Sequence, residues 1–324
     1  MRKITLLLTV MSCFNIISYA QACLPEGIIF SRQTQIDSFQ IVYAGCTEIE
    51  GEVIISGAEI INLNGLNVLT RVDSNLIIIK NDLLTNLTGL DALTYVGGYL
   101  EIGDNNDEDN PLLASLTGLE GLTSTGHGMS IRFNPSLTSF DGLDNLVSLG
   151  DDGFLLIQVN DTLTDISALH NLTNVGGDLR VEANAILANL DGLDNINSSS
   201  IHNLFITRNP LLSICSVESI CEYLASPTGI VFIFDNAPGC EHPPDIAAGC
   251  GITLSCLPYG YYHFYSQSYI DNFQAGFPGC TVLEGYAIIH GEDITNLNGL
   301  SVVTSVNGDL RFDDNPILTS LTGM

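Results

Sequence analysis

Large apolar residues recur along this chain in a fixed short phrase. Leu76-Ile77-Ile78-Ile79-Lys80-Asn81 matches Leu100-Glu101-Ile102-Gly103-Asp104-Asn105, and Met129-Ser130-Ile131-Arg132-Phe133-Asn134 and Leu155-Leu156-Ile157-Gln158-Val159-Asn160 follow. Leu179-Arg180-Val181-Glu182-Ala183-Asn184 and Leu204-Phe205-Ile206-Thr207-Arg208-Asn209 continue the series, and Leu310-Arg311-Phe312-Asp313-Asp314-Asn315 restates it much later. Read this way, the Asn returns at intervals of 24, 29, 26, 24 and 25 residues. Apolar residues two apart share one face of a short strand. Between the strands a second phrase recurs, as in Asn62-Leu63-Asn64-Gly65-Leu66, Asn86-Leu87-Thr88-Gly89-Leu90, Ser115-Leu116-Thr117-Gly118-Leu119 and Asn189-Leu190-Asp191-Gly192-Leu193. Its leucines, three apart, suit a tight turn or a short second strand. Gly97-Gly98 and Gly176-Gly177 precede strands, where glycine tolerates positive φ. Helix-length periodicity is absent from these repeats. A unit of about 25 residues that cannot bury its apolar face alone predicts one coil of a parallel β-solenoid, stacked on its neighbours.

The repeated Asn follows from that geometry. A buried turn leaves backbone donors and acceptors to satisfy, and an Asn side chain carries both, so stacked copies predict a structural ladder rather than a ligand row. Asn-Pro at 110–111, 134–135, 209–210 and 315–316 marks a turn that ends the strand.

The first twenty residues read differently. Met1-Arg2-Lys3, the apolar run Ile4 to Ala20 and the small residues Ser18 and Ala20 predict a secretory signal peptide over 1–20, with a lipidated Cys13 as the rival reading. No later stretch reaches the ~18 apolar residues of a spanning helix, so no membrane insertion is expected of the mature chain. Removing the signal leaves eight cysteines, an even set that reads as a disulfide framework rather than a zinc site, because close Cys-x-x-Cys pairs and attendant histidines are missing. Cys23 and Cys46 flank the approach to the first coil and are expected to pair. Cys215, Cys221, Cys240 and Cys250 follow the last coil and allow three connectivities, of which Cys215–Cys240 with Cys221–Cys250 is preferred. Residues 217–224 suit a short capping helix over the solenoid's exposed end.

Cys46-Thr47-Glu48-Ile49-Glu50-Gly51-Glu52-Val53-Ile54-Ile55 resembles the opening of the receptor L domain, the leucine-rich-repeat-like ligand-binding domain of insulin and epidermal growth factor receptor ectodomains. Gly177-Asp178-Leu179-Arg180-Val181 and Asn209-Pro210-Leu211-Leu212 before Cys215 are similar to its closing coils. The resemblance spans Cys23 to about Cys250. It implies a mainly β, right-handed parallel solenoid with a partner-binding sheet face, of the kind found in bacterial exported surface proteins. Receptor signalling and individual contact residues are not carried over. The opening then begins again: Cys256-Leu257-Pro258 to Cys280 copies Cys23-Leu24-Pro25 to Cys46, and Asn296-Leu297-Asn298-Gly299-Leu300 copies Asn62-Leu63-Asn64-Gly65-Leu66. The expected organisation is a capped module at 21–251 and the start of a second at 252–324, with Cys256 and Cys280 as its first disulfide pair. The last residue, Met324, aligns with Leu90 inside a coil, which reads as a truncated fragment or a coil completed by a partner.

Composition narrows the function classes. The 37 acids and 9 bases give a formal net charge of −28, or −30 with seven bases once 1–20 is removed, yet 45% of residues are hydrophobic. A disordered acidic chain is thereby excluded, and nucleic acid, which needs clustered cations, is not an expected partner. The acids are spread along both modules rather than gathered in a tail. The six histidines, in separate units, read as loop and surface residues without metal spacing. On the outward sheet face, Glu101, Arg132, Arg180, Glu182 and Phe205 are the candidate ligand-binding residues, sharing their row with Ile77 and Leu156. A catalytic cluster of the β-helix polysaccharide-lyase type is the enzymatic alternative, and no catalytic residue is assigned. Asp104, Asn106, Glu108 and Asn110 offer alternate oxygens that could take Ca²⁺, against the plainer reading of a solvated insertion loop; no other cofactor is implied. Tyr259, Tyr261, Tyr262, His263, Phe264 and Tyr265 read as cap packing, with a sugar platform as the alternative. The expected protein is a secreted or cell-surface, non-enzymatic binding or adhesion module facing a protein or glycan. A spacer repeat of a longer surface protein is the second reading.

Overall fold

The computed structural model describes residues 21–104 and 109–324; the expected signal peptide, Cys13 and residues 105–108 lie outside the described residues. Nine short strands form one all-parallel sheet in chain order: Ile28–Phe30, Val53–Ile55, Leu76–Ile78, Tyr99–Ile102, Gly128–Arg132, Phe154–Gln158, Gly177–Glu182, Ile201–Thr207 and Val231–Phe234. The register keeps equivalent residues of successive phrases side by side, as in Leu100, Met129, Leu155, Leu179, Leu204 and Val231. Alternation then buries one full row set: Leu155 and Ile157, Leu179 and Val181, Leu204 and Ile206 are all inaccessible. Each such side chain contributes roughly 1.5–3 kcal/mol relative to an exposed one.

The Leu-x-Gly-Leu phrase is a turn, 3₁₀ in form at Asn64–Leu66 and Asn298–Leu300. The short second strand lies instead at Arg71–Val72, Tyr95–Val96 and Ser124–Thr125, which belong to a five-stranded parallel sheet with Gln21–Cys23 and Cys46–Ile49. Glycine is needed in the turn for two reasons at once. At Gly118 φ is +112°, and a Cβ would stand 2.1 Å from the Leu87 carbonyl of the preceding coil. The two Gly-Gly pairs differ: Gly176 has the expected positive φ, +71°, whereas Gly97 and Gly98 do not, and their constraint is close approach to Asp73 and Asn75 of the coil before.

The Asn ladder runs through the core. Asn81, Asn110, Asn134, Asn160, Asn184 and Asn209 are fully buried, and each Nδ2 donates to the Oδ1 of the next copy at 3.0–3.4 Å. Each Nδ2 also reaches a strand carbonyl of the preceding coil, such as Ile131 from Asn160 at 2.9 Å. The position read from the sequence as Asn105 is filled by Asn110, so the insertion lies between strand and ladder. The ladder ends on Asn236, whose phrase Val231-Phe232-Ile233-Phe234-Asp235-Asn236 extends the series by one copy.

Immediately before the ladder Asn, the backbone turns left-handed: Lys80, Phe133, Val159, Ala183, Arg208, Asp235 and Asp314 all have φ between +40° and +61°. A β-branched residue is worst suited to that region. Val159→Gly is therefore expected to stabilise the protein by about 1 kcal/mol, strain relief exceeding the added unfolded-state entropy. A thermal melt with an unchanged or lower Tm would contradict this.

Four disulfides, Cys23–Cys46, Cys215–Cys240, Cys221–Cys250 and Cys256–Cys280, close the ends and point to an oxidising compartment. The expected capping helix is present at Glu218–Ala225, and two helices unseen in the sequence join it: Gln33–Val42 lays Ile36 and Phe39 over the first coil, and Pro243–Cys250 packs beside Glu218–Ala225. The second opening repeats the first in detail. The Gln33 amide accepts from Ile61 and Asn62 backbone N–H groups, and the Gln267 amide accepts from Thr295 and Asn296 in the same way. Its strands Tyr261–Phe264, Tyr286–Ile289 and Leu310–Phe312 form a three-stranded parallel sheet that meets the first through a parallel bridge from Val231 to Gly260. Among the described residues no helix is long and apolar enough to cross a membrane.

Candidate binding face

The inward half of each strand is spent on the core, so the chemistry lies on the outward half. Register places Glu101, Ser130, Leu156, Arg180, Phe205 and Phe232 in one row across six neighbouring strands. The adjacent row holds Arg132, Gln158, Glu182, Thr207 and Phe234.

The structure joins the candidate residues into two clusters. In one, the Arg132 guanidinium pairs with Glu101 at 2.6 Å and with Asp104 at 3.0 Å. In the other, Arg180 pairs with Glu182 at 2.8 Å, lies 3.8 Å from Asp178, and covers the Phe205 ring at 4.1 Å. Gln158 donates to Glu182 at 3.1 Å and Asn203 to Asp178 at 2.7 Å, extending the second cluster along three strands. A shallow cavity of about 620 Å³ opens over it, lined by Phe154, Leu156, Arg180, Glu182 and His202 among others. Each guanidinium faces two carboxylates, so the face offers hydrogen-bonding edges, an apolar wall and a surplus of negative charge.

Beyond Phe205 the face becomes aromatic. Phe232 lies 6.3 Å from Phe205 and 4.4 Å from Tyr261, and Tyr261 stacks on Tyr286 at 4.7 Å. Phe234 contacts His263 at 4.7 Å in the parallel row. Burial lifts the Tyr261 hydroxyl pKa, with Tyr286 adding to it, and burial lowers that of the His263 imidazole, reinforced by His290. The stripe thus crosses from the first sheet to the second without a gap.

Comparison of the chain with known proteins finds no matching family, no matching curated sequence and no matching solved structure.

Several sequence expectations need revision at this face. The aromatic knot is divided by strand alternation: Tyr262 and Phe264 point into the core, whereas Tyr261 and His263 belong to the outward stripe. Burial pushes the Tyr262 hydroxyl pKa up to about 12, against the lowering effect of the hydrogen bond it accepts from the Leu257 N–H. His263 is a strand residue and not a loop one. Of the residues considered for Ca²⁺, Asp104 pairs with Arg132 and Asn110 is buried in the ladder, while Asn106 and Glu108 lie outside the described residues. Phe232 and Phe234 were missed, although the phrase ending in Asn236 carries the signal that would have found them.

Proposed function

We propose that this chain is an exported, non-enzymatic binding or adhesion module, a right-handed β-solenoid of the receptor L-domain kind that presents its outward sheet face to a protein or glycan. The observation that carries this reading is the pair of in-register rows, Glu101 to Phe232 and Arg132 to Phe234, which supply ion-paired, amide and aromatic groups over a rigid sheet. A broad face of this type suits an extended ligand better than a small substrate. Carboxylates already engaged by arginine are poorly placed to act as free acid or base, which disfavours the lyase alternative.

The test is a protein and glycan array probed with the disulfide-intact protein, followed by affinity measurement on R180A and F205A. At least a tenfold loss in each is expected, since a cation–aromatic pair and its cluster form the centre of the face. Absence of any ligand, or ligands indifferent to both variants, would sink the reading. The spacer alternative is favoured by the sheet continuing through Val231 and Gly260 into the second run. Under it, particles coated with wild type and with R180A attach equally to their target surface.

A further inference from the structure

The two runs are joined differently from the coils within them. Neighbouring coils of the nine-stranded sheet share ladders of parallel strand bonds. Among the described residues a single backbone bridge, Val231 to Gly260, joins that sheet to the three-stranded one. Side chains meet across the rest of the boundary. Phe232 lies 4.4 Å from Tyr261 and Phe234 4.7 Å from His263, and from the cap His242 packs on Tyr269 at 3.9 Å and on Tyr265 at 5.6 Å.

Three of the chain's six histidines converge on this joint. Tyr265 stands between His242 and His263, 5.7 Å from the latter, and His290 lies nearly parallel to His263 at 6.3 Å. His263 is the one whose surroundings suit the neutral ring. Its Nδ1 is buried without a hydrogen-bond partner. In the neutral ring a bare Nδ1 leaves one lone pair unsatisfied, but in the protonated ring it becomes an N–H with no acceptor, on a side chain that now carries charge. From strand Val231–Phe234 the ring is faced by Asp235, an exposed carboxylate that favours the charged form, while Arg208 covers Phe234 at 5.8 Å and opposes it. Its own strand supplies Tyr261 and Tyr265. Strand Tyr286–Ile289 supplies Tyr286 and, just beyond its end, His290. Asp313, in register past His290, is engaged by Arg311, and His242 beyond Tyr265 is paired with Asp245. Burial outweighs Asp235, and His290 adds to it, so the His263 pKa lies below its ordinary 6.5.

We propose that this joint is a pH-sensitive contact, in which protonation of His263 loosens the second run from strand Val231–Phe234 while the first coils stay intact. It holds whatever the outward face binds. The sign follows from linkage. A fold that keeps the imidazole neutral has that stability in full above the unfolded pKa and loses it as pH falls through the folded one. Passage from neutral to mildly acidic medium therefore works the contact, a range in which histidine is the side chain that titrates.

Two measurements on the disulfide-intact mature protein test this. An NMR titration of the His263 imidazole is expected to have its midpoint below 6.5. Hydrogen-exchange protection factors compared at about pH 7.5 and about pH 5 are expected to fall about tenfold at Val231–Phe234 and Tyr261–Phe264, and to hold at Leu76–Ile78. H263F keeps a ring against Phe234 and Tyr265 and should abolish that fall, whereas H242N should retain it. A midpoint at or above 6.5, an equal fall in H263F, its disappearance in H242N, or an equal fall at Leu76–Ile78 would overturn the proposal.

Discussion

Replacing Asn160 with alanine is expected to lower stability by roughly 3–5 kcal/mol, because it strands several buried polar groups at once. Its Oδ1 accepts from the Asn134 backbone N–H at 3.2 Å, and its Nδ2 donates to the Ile131 carbonyl at 2.9 Å, to Gln158 and to Asn184. Water cannot replace these contacts, since Asn134, Asn160 and Asn184 are fully buried. Asn315 provides the internal control. It is partly exposed and accepts from the Gly291 N–H, so N315A should cost about 1 kcal/mol. N160D separates the hydrogen-bond account from simple loss of volume. A carboxylate there faces the Ile131 and Gln158 carbonyls, so its folded pKa rises above the unfolded value. A carboxyl with a raised folded pKa stabilises least when ionised, and stability falls as pH rises through that pKa. N160D should therefore be worse than N160A at pH 7 and close part of the gap near pH 4. Urea unfolding at both pH values measures this; equal deficits at the two would refute it.

The ladder was legible in the sequence for a physical reason. An Asn that must bond its own coil, the coil before and the coil after admits no substitute, so it repeats visibly behind apolar residues two apart. The left-handed residue before it was not legible, because Lys80, Phe133, Val159, Ala183, Arg208 and Asp235 share a backbone conformation and no side-chain chemistry. The second copy was misassigned for a related reason: Asn105 satisfies the spacing, but burial and bonding select Asn110. On the outward face, alternation alone located Arg180, Glu182 and Phe205. Their partners Asp178, Gln158 and Asn203 depend on register between strands, which the sequence does not display.

Removing the Cys221–Cys250 disulfide by a double serine substitution should cost about 3–4 kcal/mol, the loop-closure entropy of the 29-residue separation. The consequence extends beyond that entropy. Cys221 lies in helix Glu218–Ala225, whose Ile220, Tyr223 and Leu224 are buried, and Cys250 ends helix Pro243–Cys250, which buries Ile246 and Ala247. Strand Val231–Phe234, the last of the nine-stranded sheet, lies between the two helices in sequence and receives the ladder's end through Asn236. Loosening this cap exposes core and frees the strand that carries Phe232, the point where the outward stripe passes into the second run. Loss of the disulfide should therefore also raise hydrogen exchange at Val231–Phe234 and at Tyr261–Phe264, while Leu76–Ile78, distant in the sheet, keeps its protection. Reductant should lower the Tm of wild type more than that of the double variant, since the variant has one fewer bond to lose. If exchange rises equally at Leu76–Ile78, the cap and the first coils unfold as one unit, and the cap has no separate hold on the junction.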